Sequence, residues 1–101
     1  MCIRDRSDSF VPVDEVGIPL GGLHSVDNSP FDFRQATRIG ARILDDHEQI
    51  ENGKGYDHSW VVAGPADRLK PVARVIDSAS GRTMNVETTQ PGVQFLSLIH
   101  I

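Results

Sequence analysis

The chain has 101 residues, a formal net charge of −4, 39% hydrophobic and 24% charged residues. That length holds one small domain or a piece of a larger one, and no run approaches the roughly 20 apolar residues of a membrane span. The acidic balance leaves no basic footprint for nucleic acid, and the single cysteine excludes an internal disulfide framework or a cysteine-based zinc site.

The two ends are read first. The chain opens on Met1-Cys2-Ile3-Arg4-Asp5-Arg6 and closes on Leu96-Ser97-Leu98-Ile99-His100-Ile101. One permitted coding of the opening, ATG TGT ATA AGA GAC AG, has the reverse complement CTG TCT CTT ATA CAC AT. That second string encodes Leu-Ser-Leu-Ile-His, and its partial last codon admits Ile. Two ends of a natural gene rarely mirror each other, and the shared string resembles the transposase adapter used to build sequencing libraries. Residues 1–6 and 96–101 are therefore expected to be translated adapter, with residues 7–95 a partial domain derived from a gene. Cys2 and His100 then carry no chemical argument. Residues 96–101 are still rich in strand formers and could extend a strand.

Residues 10–13 form a short extended run ahead of Asp14-Glu15. Gly17, Pro19, Gly21 and Gly22 make residues 16–22 a series of turns, and residues 23–30 read as polar loop. Phe31-Asp32-Phe33-Arg34 alternates apolar with charged, the pattern of a brief half-buried strand. Ile39 and Ile43 lie four apart with Leu44 beside them, which suits one or two helical turns within residues 36–44. Residues 45–55 read as acidic loop. Strands are then predicted at 56–63, 69–77 and 82–89, with Gly64-Pro65 and Ser78-Ala79-Ser80-Gly81 as turns. Gln90-Pro91-Gly92 interrupts the third, and Val93-Gln94-Phe95 resumes it. Tight connections predict an antiparallel sheet, and no βαβ alternation is visible. The fold class is all-β and sandwich-like, with one short helical segment.

Alternation along 56–63 puts Asp57, Ser59 and Val61 on one side and His58, Trp60 and Val62 on the other, the second set being core. Met84 and Val86 share a face of the later strand, with Asn85 and Glu87 opposite. The densest polar cluster is Gly55-Tyr56-Asp57-His58. A carboxylate at a strand mouth accepts paired hydrogen bonds from vicinal sugar hydroxyls, and Tyr56 or Trp60 could supply an apolar platform. The competing reading makes Asp57 a loop residue capping backbone N–H groups and His58 a satisfied, half-buried histidine. His24, His47 and His58 lack ligand spacing, so no metal is expected. The acidic run Asp45, Asp46, Glu48 and Glu51 reads as a solvated face. Ser80 lacks a nucleophile-elbow context, and Gly53-Lys54-Gly55 lacks the third glycine and helix of a dinucleotide loop.

Several pieces then fall in a recognisable order: Val13-Asp14-Glu15, Ile18-Pro19, Pro30-Phe31-Asp32-Phe33-Arg34, Ile39-Gly40, Gly55-Tyr56-Asp57-His58, Ser80-Gly81-Arg82 and Thr88-Thr89-Gln90-Pro91-Gly92-Val93-Gln94-Phe95. Together they resemble the C-terminal half of the aldose 1-epimerase (galactose mutarotase) family, over nearly all of residues 14–95. Two departures stand out. Leu20 replaces the threonine of the usual Ile-Pro-Thr-Gly, and Leu96-Ser97-Leu98 stands where the family continues Tyr-Thr-Gly-Asn. The second falls where the adapter junction was placed independently.

The resemblance implies a fragment of a galactose mutarotase-type β-sandwich whose concave sheet face holds a sugar. It implies an isomerase that interconverts α and β anomers of hexoses such as galactose and glucose. In that chemistry a glutamate takes the anomeric proton while a histidine protonates the ring oxygen, the ring opens, and it recloses on the other face. No cofactor is implied. Asp57 matches the family's sugar-binding aspartate and Gln94 its sugar-site glutamine, with Phe95 adjacent and His58 and Tyr56 in supporting roles. The family's catalytic histidine lies upstream of this segment and its glutamate downstream of Phe95. His24, His47 and Glu87 match neither motif, so no catalytic residue is assigned, and the chain alone is expected to be inactive. The expected partner is an aldohexose, with no nucleic acid and no membrane. The expected compartment is the cytoplasm, with periplasm or secretion also open. The alternative function is a non-catalytic carbohydrate-binding β-sandwich accessory domain.

Overall fold

The computed structural model describes residues 1–98. Eight strands are present among them: β1 (Cys2–Asp5), β2 (Ser9–Phe10), β3 (His24–Ser25), β4 (Thr37–Arg38), β5 (Gly55–Val61), β6 (Lys70–Asp77), β7 (Arg82–Thr88) and β8 (Gly92–Leu98). They form two four-stranded sheets, β4-β1-β6-β7 and β3-β2-β5-β8, with every pairing antiparallel. The all-β, sandwich-like expectation holds. The strand partners differ from expectation: β5 does not join β6 and β7 in one sheet, and β8 does not resume β7 but pairs with β5 in the other. The connection after β5, bent at Gly64-Pro65, carries the chain across to the other layer, and only β6 and β7 form a hairpin.

Cys2–Asp5 is an interior strand, between β4 and β6. Its register sets Ile3 opposite Val75, and Ile3 is buried. Strand β8 runs past Phe95 into residues 96–98, as their composition allows. Residues 99–101 lie outside the described residues.

The core lies between the sheets. Ile3, Phe10, Val26, Phe31, Phe33, Ile50, Tyr56 and Trp60 form one buried cluster, with Val75, Val93 and Phe95 packed against it. Phe10 and Phe31 stack with centroids 4.2 Å apart. Burying each such ring contributes on the order of 2–3 kcal/mol.

Phe31 and Phe33 are buried as alternation predicts, but residues 31–34 are not a strand. Their backbone serves side chains and a neighbouring loop instead of a ladder. The Pro30 carbonyl accepts from Tyr56 Oη at 2.8 Å and the Phe31 carbonyl from Trp60 Nε1 at 3.0 Å. Both bonds anchor β5 rings, and satisfy polar atoms that burial would otherwise leave costly. Arg34 points outward and pairs with Asp8, Asp27 and Asp32. Its hydrogen bonds hold the Asp27 and Asp32 carboxyls below the usual carboxylate range.

The helix also sits elsewhere than expected. Residues 36–44 hold strand β4 and, as their one helical piece, a 3-10 turn at Ile39–Ala41 without a side-chain cap. The α-helix, α1, is Glu48–Gly53, inside the expected acidic loop. Its ends explain it. His47 caps the start, its Nδ1 accepting from the Gln49 N–H at 3.1 Å, and Glu48 and Glu51 lie in the first turn. Lys54 closes it in the left-handed conformation, φ 56°. Ile50 and Gln49 are buried. Gln49 bonds both the N–H (2.8 Å) and the C=O (3.0 Å) of Val13, completing that residue as a strand partner would. Val13 opens the loop that Asp14 folds by accepting from the N–H groups of Val16 and Ile18, each at 2.9 Å.

Candidate functional site

Strand β5 has a strict two-residue alternation. Tyr56, His58 and Trp60 are buried, while Asp57 is exposed and Ser59 and Val61 are half-buried. Strand β8 lies antiparallel beside it, pairing Asp57 with Leu96, Ser59 with Gln94 and Val61 with Gly92. Directly opposed residues share a face, so Gln94 stands on the side of the sheet that Asp57 occupies. The two meet diagonally: Gln94 Nε2 donates to Asp57 Oδ1 at 2.9 Å.

This bond orients both groups. It leaves the second Asp57 oxygen, the Gln94 amide oxygen and one amide N–H free for a ligand. Two acceptors and a donor held side by side on an open sheet face match the hydroxyls of a polyol. Asp57 and Gln94 thus stand on neighbouring strands and on one face of the sheet.

Phe95 is not brought to this pair. It is paired with His58 and turns inward, its ring 5.7 Å from Tyr56 and 6.1 Å from Trp60. Tyr56 and Trp60 are likewise core residues, so neither offers a platform on the Asp57 side. Burial pushes the Tyr56 hydroxyl up to about 12, keeping it the neutral donor its bond to Pro30 requires.

His58 lies beneath Asp57. It is 1% exposed, and its Nδ1 accepts from the Asp57 backbone N–H at 3.1 Å. Phe31 meets its ring edge-on at 4.6 Å and Phe10 at 5.9 Å. Burial holds its pKa below the ordinary histidine value, although the Asp57 charge pushes the other way. The neutral ring is thus a support for the site backbone, facing away from the exposed carboxylate.

Sequence reasoning assigned no role to Ser59 or Gly92, although alternation had already set Ser59 on Asp57's side. Gln49, the anchor of α1, carried no local signal at all, since its partner is 36 residues away. Among the described residues no three His, Cys, Asp or Glu side chains stand together as a metal site, and no helix is long and apolar enough to cross a membrane.

Comparison with known proteins decides the family. The family model for aldose 1-epimerase matches residues 3–98. The chain belongs to the aldose 1-epimerase family. It is 40% identical over 90 residues to a galactose mutarotase of Bos taurus and 41% identical over 91 residues to an aldose 1-epimerase of Escherichia coli, covering 89% and 90% of this chain. It spans about a quarter of the length of these curated relatives, 25% and 26%. Among solved structures it is similar to the galactose 1-epimerase from Lactobacillus acidophilus, with a TM-score of 0.63 and 34% identity over 72% of this chain and 21% of that one. An aldose epimerase homologue from C. elegans shares the fold, with a TM-score of 0.72 at 21% identity, covering 92% of this chain and 27% of that one.

Proposed function

We propose that this chain is the sugar-holding part of an aldose 1-epimerase that interconverts the anomers of a hexose such as galactose or glucose. The observation that carries the reading is the bond from Gln94 to Asp57 on the open face of the β5–β8 pair. Family membership supports the reaction class. In this reading Asp57 and Gln94 bind and orient ring hydroxyls, and His58 supports Asp57 from below.

Anomer exchange needs a base at the anomeric hydroxyl and an acid at the ring oxygen. We assign neither role to a residue of this chain. The exposed face offers a carboxylate already engaged by an amide, while the buried His58 lies across the sheet from it. The chain by itself is therefore proposed to be inactive, its contribution being orientation of substrate.

Polarimetry tests both halves. The isolated chain should leave the mutarotation of α-glucose at the buffer rate. A full-length graft, with residues 7–95 replacing the matching quarter of the Escherichia coli relative, should accelerate it. In that graft Asp57→Ala should raise KM about 10- to 100-fold, the scale of hydrogen bonds to a charged group. An unchanged KM would remove the proposed role of Asp57.

A further inference from the structure

The sheet face that carries Asp57 and Gln94 continues one step along each strand. Ser59 follows Asp57 by two residues on β5, directly opposite Gln94, and Gly92 lies two residues before Gln94 on β8. Successive residues on one side of a strand are about 7 Å apart. The row Asp57, Gln94, Ser59 therefore spans roughly the length over which a pyranose ring presents its hydroxyls.

The Ser59 hydroxyl has no hydrogen-bond partner among the described residues. Its neighbour is the bare α-carbon of Gly92: a Cβ there would stand 3.1 Å from Ser59 Oγ. Gly92 is not in the left-handed region, so its backbone does not itself demand glycine. What the missing side chain does is leave a notch over the serine hydroxyl. A half-buried serine in mid-strand is also a weak strand former, which leaves the hydroxyl without an evident structural purpose.

We propose that Ser59 is a specificity-determining residue of this face, reading one sugar hydroxyl beyond those held by Asp57 and Gln94, with Gly92 keeping the approach open. The inference rests on the carbohydrate reading above and adds a position to it. Asp57 is an acceptor only, whereas a serine hydroxyl both donates and accepts. Ser59 therefore selects for the presence of a hydroxyl rather than for its polarity. Sites built to bond a hydroxyl discriminate against the analogue lacking it, because the protein's own polar group is left unpaired.

The test pairs deletion of the protein hydroxyl with deletion of sugar hydroxyls. The full-length graft, its fold checked by circular dichroism, is titrated calorimetrically with glucose, galactose and their derivatives in which one hydroxyl at a time is hydrogen. In the unmodified graft, one deoxy sugar should bind about 3- to 10-fold more weakly on account of Ser59, the scale of one neutral hydrogen bond. Ser59→Ala should abolish that penalty and leave the others. Ser59→Thr, which keeps the hydroxyl, should retain it, and Gly92→Ala should weaken binding of the same sugar series by crowding the notch. If every deoxy penalty survives in Ser59→Ala while Asp57→Ala still weakens binding, the role of Ser59 is wrong and the sugar face stands. If the folded graft binds no sugar, or Asp57→Ala changes nothing, both readings fall.

Discussion

Gly53 and His58 touch so closely that the glycine has no room for a side chain. A Cβ at position 53 would stand 2.6 Å from His58 Cε1. The last turn of α1 thus presses on the ring that supports Asp57 from beneath, and Phe10 and Phe31 hold that ring from other sides.

Gly53→Ala is consequently expected to destabilise the protein, reversing the usual gain of about 1 kcal/mol for replacing glycine in a helix. The ring cannot yield without disturbing the aromatic cluster, so a loss of about 1–3 kcal/mol is expected from overpacking. Urea denaturation of the two proteins measures it. Stabilisation on substitution would mean that His58 moves freely.

Gln49→Ala should cost about 1–3 kcal/mol by the same measurement. It leaves the buried Val13 N–H without an acceptor. The Val13 carbonyl keeps its bond from Asn52 Nδ2 at 2.9 Å, which limits the damage. Faster amide exchange at residues 13–18 would locate the effect in the loop that Asp14 folds.

Asp5 gives a pH dependence of defined sign. Burial, the largest cause, raises its pKa from 3.8 to about 6. A raised carboxyl favours folding in its protonated form, so its support is present below about pH 4 and is lost as pH rises towards 6. Asp5→Asn should therefore stabilise the protein at pH 7, by about 1–2 kcal/mol once solvent screening of this half-buried group is allowed for. The difference between the two proteins should vanish below pH 4. His58 works the opposite way: its lowered pKa makes acid below about pH 6.5 destabilising, because the unfolded chain takes up the proton first.

Gln94→Glu would set a second carboxylate against Asp57, where the amide now donates at 2.9 Å. Sugar affinity of the full-length graft should fall at least about 10-fold at pH 7. Adding Asp57→Asn should recover most of that loss, since the restored amide–carboxylate pair has its members exchanged. No recovery would show that the pair does not act as a unit.

Much of the sandwich was legible because its strands are locally encoded. The period-two pattern of β5 names His58, Trp60 and Val62 as core and sets Asp57, Ser59 and Val61 on the other side without any knowledge of partners. The breaks at Gly64-Pro65, Ser80-Gly81 and Pro91-Gly92 place the ends of β5, β6, β7 and β8 within a few residues. Helix α1 was not legible. Only Ile50 marks its buried face with an apolar side chain, and the rest of its anchoring is the distant bond of Gln49 to Val13. Residues 31–34 show the reverse: the alternation is real, but the carbonyls of Phe31, Asp32 and Phe33 are taken up by the Trp60 and Arg42 side chains and the Asp5 N–H.

The amino-acid order alone determined the fold class, the family likeness and the side of the strand on which Asp57 stands, because alternation and motif order are properties of neighbouring residues. Only the tertiary structure decided that β5 belongs with β8 and not with β6, that Gln94 reaches Asp57, and that Phe95 does not. Those outcomes depend on strand register between positions 37 apart in the sequence. A register shift of a single residue would have turned Gln94 inward and Phe95 out.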